Sequence, residues 1–280
     1  MTDAQNTPTP TLVLGGTGKT GRRVVERLTR QDVPVRIGSR SGGVPFDWED
    51  RSTWKPAVQD VEAVYVSYFP DLAVPGAPEA VGAFSELAVA EGARRLVLLS
   101  GRGEEEAQAS EKMLAESGAD WTVVRASWFN QNFDEGYLLD PILGGHVMLP
   151  AGAVGEPFTD VDDIAEVATA VLTQDGHEGR VYELTGPRLL TFADAIGTIA
   201  EATGRELTYS QIPAEDFAAG LAADQVPADV VDLLLYLFTT VLDGRNAGLG
   251  DGVQQVLGRP ARDFADYARD TAATGIWNVG

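Results

Sequence analysis

The stretch LVLGGTGKTG, residues 12–21, decides how this chain folds. The apolar run Thr11–Leu14 predicts a buried strand, and apolar residues at helical spacing follow directly after the glycines. In a strand–turn–helix unit of this kind, Gly15 allows a sharp turn and Gly18 allows a pyrophosphate to approach the backbone. Gly21 lets the helix lie against the strand, so that the first N–H groups of the helix face the phosphates. The stretch therefore predicts a dinucleotide-binding fold.

The segment Gly18-Lys19-Thr20 also resembles the end of a P-loop, which binds nucleoside triphosphates. A P-loop requires a glycine five positions before Gly18, and this chain has Val13 there, inside the predicted strand. Gly21 then follows at the spacing of dinucleotide binders, so the P-loop is disfavoured. We expect phosphate contacts from the residues of the turn: Gly15, Gly16, Thr17, Gly18, Lys19 and Thr20.

The end of the second predicted strand, Val33–Gly38, indicates which dinucleotide is bound. NAD-specific folds place an acidic residue about 20 positions past the glycines, where it binds the ribose hydroxyls. Here the strand is followed by Ser39, Arg40 and Ser41, without a carboxylate. Arg40 offers a planar fork of donors suited to a phosphate, and Ser39 adds a hydroxyl. We therefore predict NADP(H) as the cofactor; the alternative is that Arg40 is a solvated loop residue.

Strand-like runs alternate with helical stretches through the first half of the chain, which is typical of an α/β, doubly wound parallel Rossmann sheet. The predicted strands and helices are Thr11–Leu14, Lys19–Thr29, Val33–Gly38, Ala63–Tyr68, Pro78–Glu91, Arg95–Ser100, Glu105–Ser117 and Trp121–Arg125. Glycine and proline then predict a long loop over Pro141–Pro157. Beyond it we expect a helix, a strand and three more helices: Asp162–Thr173, Arg180–Leu184, Thr191–Thr203, Ala214–Ala223 and Ala228–Leu242.

This pattern predicts three parts of the chain. Residues 1–10 are expected to form a flexible tail, and residues 11–150 an NADP-binding Rossmann domain. Residues 151–280 are expected to form a smaller, mostly helical substrate lobe, packed on the first domain and contributing to the same fold.

The charge balance limits the partners. The 280 residues include 21 basic and 42 acidic ones, a formal net charge of −21. Such a field repels nucleic acids and anionic membranes, so we expect neither as a partner. The chain has no cysteine, and His146 and His177 lie far apart in loop-like contexts, so we predict no metal site. No apolar run reaches the roughly 18 residues of a membrane helix and no signal segment opens the chain, so a cytoplasmic location is expected.

Several segments together resemble the NmrA-like family of atypical short-chain dehydrogenases/reductases. Besides the glycine turn they are Phe46–Trp48, Trp121–Arg125, Trp128–Phe133, Phe158–Ala165, Tyr182–Pro187 and Gly258–Phe264. The resemblance covers nearly the whole chain. Within the family, the Phe-Asp-Trp segment and the short spacing after it are most similar to bacterial relatives of the ergot-alkaloid reductases, which reduce agroclavine-type iminium ions.

The resemblance implies where cofactor and substrate bind. Asp47 and Trp48 would lie beside the adenine. The segments Ser67–Phe69 and Leu99–Gly101 would flank the ribose and the nicotinamide, which adds Tyr68, Phe69 and Ser100 to the expected cofactor contacts. The Trp128–Phe133 segment would form part of a substrate wall. The residues expected to line the substrate pocket are Phe69, Trp128, Phe129 and Asn132.

One departure from the superfamily bears on catalysis. Members that reduce ketones use a serine with a Tyr-x-x-x-Lys pair, in which the tyrosine protonates the developing alkoxide. Alignment through Glu111 places the tyrosine and lysine positions on about Glu104 and Gln108, and neither residue type substitutes well for that pair. Ser100 stands near the serine position and Lys112 is displaced by one helical turn. These two are the weak candidates for catalysis, Lys112 being also expected as an ordinary exposed lysine.

Two functions agree with these residues. In the preferred hypothesis, the protein is an NADPH-dependent oxidoreductase whose small-molecule acceptor, an iminium ion, a quinone or a conjugated compound, needs no concerted protonation. Aromatic residues suit a cation through their ring faces, and the acidic field attracts one; the expected rings are Tyr68, Phe69, Trp128 and Phe129. In the alternative, the chain binds NADP(H) without turnover and acts as a redox sensor that regulates a protein partner.

Overall fold

The computed structural model describes residues 9–279. Most of the tail predicted over residues 1–10 therefore lies outside the described residues. The described chain forms two compact units, each built from non-contiguous segments. The first unit runs to Ser100 and includes Glu105–Arg125 and Ile164–Tyr182. The second contains Gly101–Glu104, Ala126–Asp163 and the chain from Glu183 onward. The linear division near residue 150 stays a prediction.

The described chain contains a doubly wound sheet, as expected. Its strands pair in the order β3-β2-β1-β4-β5-β6-β8. The strands are β1 Thr11–Leu14, β2 Val35–Ser39, β3 Val44–Pro45, β4 Ala63–Val66, β5 Arg95–Gly101, β6 Asp120–Ala126, β7 His146–Leu149, β8 Arg180–Leu184 and β9 Thr208–Gln211. The central pairs β1–β2, β1–β4 and β4–β5 are parallel, so their carboxyl ends meet at one edge of the sheet. That edge is where open α/β sheets bind ligands.

Helices connect these strands at or within two residues of most predicted positions. They are α1 Gly21–Arg30, α2 Trp54–Val58, α3 Ala77–Ala90, α4 Glu105–Glu116, α5 Leu139–Leu143, α6 Val161–Thr173, α7 Phe192–Thr203, α8 Ala214–Ala223, α9 Ala228–Tyr236, α10 Gly252–Leu257 and α11 Phe264–Thr274. Among the described residues, no helix combines the length and the apolar character needed to cross a bilayer.

The core of the first unit lies on the sheet. Every residue of β1 and β4 is buried, as expected for central parallel strands that are covered on both faces. Aromatic rings fill the space between the loop after β3 and helix α3: Phe46, Trp48, Trp54 and Phe84 lie within 6.4 Å of one another, centroid to centroid. This packing fixes the chain that follows β2.

The second unit is less regular than predicted. The prediction of a long loop over Pro141–Pro157 is wrong, because the first half of this segment forms the end of α5 and the strand β7. Strand β7 pairs in parallel with β9, a strand that the sequence did not indicate. Both strands have four residues, too few for a clear alternation of apolar and polar side chains. The predicted helix over 228–242 changes to a π-helix at Leu237.

Candidate functional site

The glycine turn lies between β1 and α1 in the first unit. Gly15 has a φ of +63°, a conformation that favours glycine, and its N–H donates to the Gly38 carbonyl at 2.9 Å. The Gly18 N–H donates to the Gly15 carbonyl at 2.8 Å, which closes the turn. A Cβ on Gly21 would lie 2.2 Å from the Gly15 oxygen. This contact confirms that Gly21 lets the helix approach the strand.

The geometry of the turn fits a diphosphate. Thr20, the N-cap of α1, makes no side-chain cap, and the first turn of the helix has no acidic residue. The positive dipole end of the helix therefore has no carboxylate of its own first turn in front of it, while the N–H groups of Arg22, Arg23 and Val24 donate to the Gly18 and Thr20 carbonyls. A Cβ on Gly18 would meet, within 4 Å, only the Gly15 oxygen at 3.2 Å, and the space beyond it is open. The turn can therefore accept an anionic group close to its backbone.

Ser39 ends strand β2 and Arg40 follows it, and the two side chains make different contacts. The Ser39 hydroxyl donates to the Gly42 carbonyl at 2.7 Å and accepts from the Gly42 N–H at 2.9 Å. Ser39 thus closes the loop that carries Arg40. The Arg40 guanidinium carbon lies 4.1 Å from the centroid of the Phe69 ring, and 57% of Phe69 is exposed. Two predicted cofactor residues, from the ends of β2 and β4, therefore lie together, with an arginine fork stacked on a ring.

The loop after β3 contains the two residues predicted beside the adenine. Asp47 accepts a hydrogen bond from the Glu49 N–H at 3.1 Å through its carboxylate. Trp48 is mostly buried, and its indole N–H donates to the Ser67 carbonyl at 3.1 Å. Its ring lies 4.8 Å from that of Tyr68. Trp48 therefore joins this loop to the segment after β4, and contact with an adenine stays a prediction.

Tyr68 is half-buried at the same edge of the sheet. Burial, together with the nearby Glu49 carboxylate, raises the pKa of Tyr68 above its ordinary value of 10.0. Its hydroxyl is therefore neutral at pH 7.

The residues around Ser100 form a buried charged cluster. The Ser100 hydroxyl donates to Glu111 Oε1 at 2.6 Å, and Arg125 Nε donates to the same oxygen at 2.8 Å. Arg125 Nη2 also binds the second carboxylate oxygen of Glu111. We call these three residues the Ser100 cluster. They come from β5, α4 and β6, so sequence reasoning identified Ser100 but gave no role to Glu111 and Arg125.

The other positions linked to catalysis lie outside the Ser100 cluster. Lys112 has a side chain that is 76% exposed, and its ammonium lies 3.9 Å from the Glu116 carboxylate. Glu104 is buried and Gln108 is exposed. The sequence contains no Tyr-x-x-x-Lys segment.

The predicted pocket residues divide between the two units. Phe69 belongs to the first unit, whereas Trp128, Phe129 and Asn132 belong to the second, where each is half-buried. The centroid of the Trp128 ring lies 4.8 Å from that of Phe238 and 5.3 Å from that of Phe192, so part of Trp128 packs in the core of the second unit. The substrate pocket stays a prediction.

Three family-like segments of the second unit bind one another. Asp160 Oδ2 accepts from Arg262 Nη1 at 2.8 Å, and Asp160 Oδ1 accepts from Gln131 Nε2 at 2.8 Å. Asp163 accepts from Arg259 Nη2 and from the Arg262 backbone N–H, both at 2.7 Å. These charged residues therefore hold the chain segments together, and the structure assigns them no contact with a substrate.

Glu156 is a titratable group that sequence reasoning missed. It belongs to the second unit, is 1% exposed, and its Oε1 has no hydrogen-bond partner among the described residues. Burial raises the pKa of Glu156 to about 7, against the opposing effects of the Trp128 N–H, Arg102 and Ser127. In the sequence Glu156 stands between Gly155 and Pro157, a context typical of a solvated loop.

The raised pKa of Glu156 makes stability depend on pH. The unfolded chain releases this proton near the ordinary pKa of 4.5, whereas the folded protein holds it up to about pH 7. The free energy of unfolding should therefore fall by about 3 kcal/mol as the pH rises across that window. Glu156→Gln should remove this loss and be more stable than the wild type at pH 8, as urea unfolding at pH 5 and pH 8 will show. Glu201→Gln, an exposed change in the same unit, should keep the wild-type dependence, and equal pH slopes in all three proteins would contradict the prediction.

Comparison with known proteins agrees with this geometry. Residues 15–175, more than half of the chain, match the NAD(P)H-binding family, and the chain belongs to that family. It is 29% identical to agroclavine dehydrogenase of Claviceps fusiformis, over 94% of this chain and 98% of that protein. It is also 29% identical to an NAD(P)H azoreductase of Xenophilus azovorans, again over 94% and 98%. The expected kinship with the NmrA-like group and the ergot-alkaloid reductases is confirmed.

A solved structure supports the fold. The chain is similar to an NADPH-dependent quinone oxidoreductase from Escherichia coli, complexed with NADPH, with a TM-score of 0.79 and 23% sequence identity. The match covers 93% of this chain and 99% of that one. The class of the protein, an NAD(P)H-binding oxidoreductase with a Rossmann fold, is therefore established, and its acceptor is a separate question.

Proposed function

We propose that the protein is an NADPH-dependent reductase that transfers hydride to an electron-poor small molecule without a tyrosine–lysine acid. The acceptor class includes iminium ions, quinones and related conjugated compounds. Relatives at 29% identity are described as acting on agroclavine and on azo compounds, and the similar solved structure as a quinone oxidoreductase. Azo compounds and quinones are electron-poor acceptors, which supports the proposal.

The residues of the first unit would hold the cofactor, which supplies a hydride when bound. The turn from Gly15 to Thr20 would bind the diphosphate, and Arg40 would bind the 2′-phosphate of the adenosine ribose. Trp48, through Tyr68, fixes the segment after β4 beside the turn. Since β1, β4 and β5 are neighbours, Ser100 at the end of β5 would stand beside the nicotinamide end of the cofactor.

The hydrogen bond of the Ser100 hydroxyl is the observation on which the proposal mainly rests. Its hydrogen is donated to Glu111, a carboxylate that is itself held by Arg125. The Ser100 hydrogen is therefore not offered to an alkoxide, which hydride transfer to a ketone would form. An iminium carbon becomes a neutral amine on receiving hydride, and a quinone spreads the charge over its ring. Such acceptors suit a site whose main task is to position the reactants.

The partner of this site is proposed to be a small molecule. The net charge of −21 disfavours nucleic acid and would attract a cationic acceptor. The cytoplasmic location stays a prediction of the sequence.

A turnover experiment tests the function. The protein is mixed with excess NADPH and a panel of cyclic iminium ions, quinones and simple ketones, and the absorbance of the reduced nicotinamide is followed. We expect NADPH loss well beyond one equivalent with iminium ions or quinones and a much slower loss with ketones. If the protein binds NADPH tightly without consuming it, and binds NADP⁺ with a different affinity, the result would contradict the enzyme hypothesis and support the redox-sensor hypothesis.

A further inference from the structure

The hydrogen bond from Ser100 to Glu111 has a fixed direction. A carboxylate has only acceptor oxygens, so Ser100 must be the donor across the 2.6 Å contact. A serine hydroxyl has one hydrogen and two lone pairs. With its hydrogen on Glu111, Ser100 can offer a ligand only an acceptor.

Arg125 binds Glu111 so that Glu111 remains the acceptor of the Ser100 hydrogen. Its Nε donates to Glu111 Oε1 at 2.8 Å and its Nη2 binds the other oxygen, the forked geometry of a strong charge-assisted pair. Ser100 and Glu111 are both buried, so water competes little for these bonds. Glu111 is therefore held as an acceptor for the serine hydrogen.

The Ser100 cluster lies where this direction matters. Ser100 is the penultimate residue of β5, which pairs in parallel with β4, and β4 pairs in parallel with β1. The carboxyl ends of these neighbours form the edge that carries the glycine turn and the Ser67–Phe69 segment. A group bound at this edge next to β5 meets the lone pairs of Ser100.

We propose that Glu111 and Arg125 are specificity-determining residues, which hold Ser100 as a hydrogen-bond acceptor at the nicotinamide end of the site. This inference rests on the proposed function and narrows its acceptor class to groups that carry an N–H, such as protonated cyclic imines. Hydride from NADPH forms the new C–H bond while the C=N π electrons move onto nitrogen, which gives a neutral amine and NADP⁺ without a further proton. The same transfer to a ketone leaves an alkoxide that must take up a proton, and the Ser100 hydrogen is already committed to Glu111.

Glu111→Gln tests the direction of the bond. The amide must turn its NH₂ group either to Arg125 Nη2 or to the position that Ser100 and Arg125 Nε share, and in the second orientation it donates to Ser100 and releases the serine hydrogen. Glu111→Ala removes the shared acceptor in either case. The ratio of kcat/KM for a cyclic ketone to that for the matching protonated imine should rise by about 100-fold, the lower end of what one oxyanion donor contributes. Adding Ser100→Ala to this variant should abolish the gain. An unchanged ratio in both folded variants, Glu111→Gln and Glu111→Ala, overturns the inference.

Two further variants control for folding. Glu116→Gln makes the same chemical change on the exposed face of α4 and should leave the ratio and the melting temperature unchanged. Should Glu111→Gln fail to fold, Ser100→Ala alone decides the matter. It should lower kcat/KM for the protonated imine about 10-fold or more, because the acceptor for the imine N–H is lost, and an unchanged imine kcat/KM would overturn the inference.

A binding measurement separates this inference from the proposed function. Calorimetry compares NADP⁺, whose carboxamide carries an N–H donor, with its 3-acetylpyridine analogue, which offers only a carbonyl oxygen there. The wild-type protein should bind NADP⁺ more tightly than the analogue, and Glu111→Gln should reduce the ratio of the two affinities. If no acceptor is turned over but the preference shifts, the reductase proposal fails and the inference stands. If an acceptor is turned over but Glu111→Gln changes neither the ketone-to-imine kcat/KM ratio nor the ratio of the two affinities, the inference fails and the reductase proposal stands.

Discussion

Arg40→Asp should weaken NADPH binding by about 100-fold or more, while NADH binding changes little, because reversing the charge of a phosphate partner costs several kcal/mol. In the structure the Arg40 guanidinium lies over the Phe69 ring at the edge that carries the glycine turn, so it is held in place before any ligand arrives. An aspartate at the end of β2 also restores the carboxylate that NAD-specific folds use on the ribose hydroxyls. Isothermal titration with both reduced cofactors measures the two affinities.

Arg51→Asp is the matched control for this charge reversal. The Arg51 guanidinium carbon also lies over a ring, 5.2 Å from the Trp54 centroid, in the same unit and exposed to solvent. A general effect of the added negative charge would weaken NADPH binding equally in both variants. Equal losses for NADPH and NADH in Arg40→Asp would remove Arg40 from the phosphate site and leave the cofactor preference without a structural basis.

The parts of the fold that the sequence predicted are those whose physical signal is local. The glycine turn is local, because Gly15 is required by its own φ of +63° and Gly21 by its close contacts with Gly15 and Gly16. The central strands β1 and β4 are buried on both faces and therefore appear as continuous apolar runs. These signals were enough to predict the central strands of the sheet and the glycine turn at its edge.

The rest depends on contacts that join distant residues. Glu111 looks like a surface residue of a charged helix, and only the approach of Arg125, 14 positions later, gives it a role. Glu156 stands in a polar, glycine- and proline-rich segment, yet packing in the second unit buries it completely. Periodicity within one segment carries no information about such partners, so the glycine turn was predictable and the buried surroundings of Glu111 and Glu156 were not.

The charged residues of the second unit give the last prediction, a loss of stability. Asp160 is fully buried and accepts hydrogen bonds from Arg262, Gln131 and the Asp162 backbone N–H, at 2.8, 2.8 and 2.9 Å. Asp160→Ala leaves these donors without that acceptor, one of them charged. Removing one partner of a buried ion pair costs about 3–5 kcal/mol. We therefore expect a drop of that size in the free energy of unfolding, measured by urea denaturation at pH 7.

Asp270→Ala separates the effect of burial from the loss of an ion pair. Asp270 also binds Arg262, through Nη2 at 2.5 Å, but its side chain is 65% exposed. Water replaces an exposed partner at little cost, so this variant should lose less than about 1 kcal/mol. Each variant removes one aspartate that binds Arg262, and the two aspartates differ in how far they are buried. Equal losses would mean that the buried carboxylate stabilises the unit no more than a surface charge does, which would contradict its proposed role in holding the three segments together.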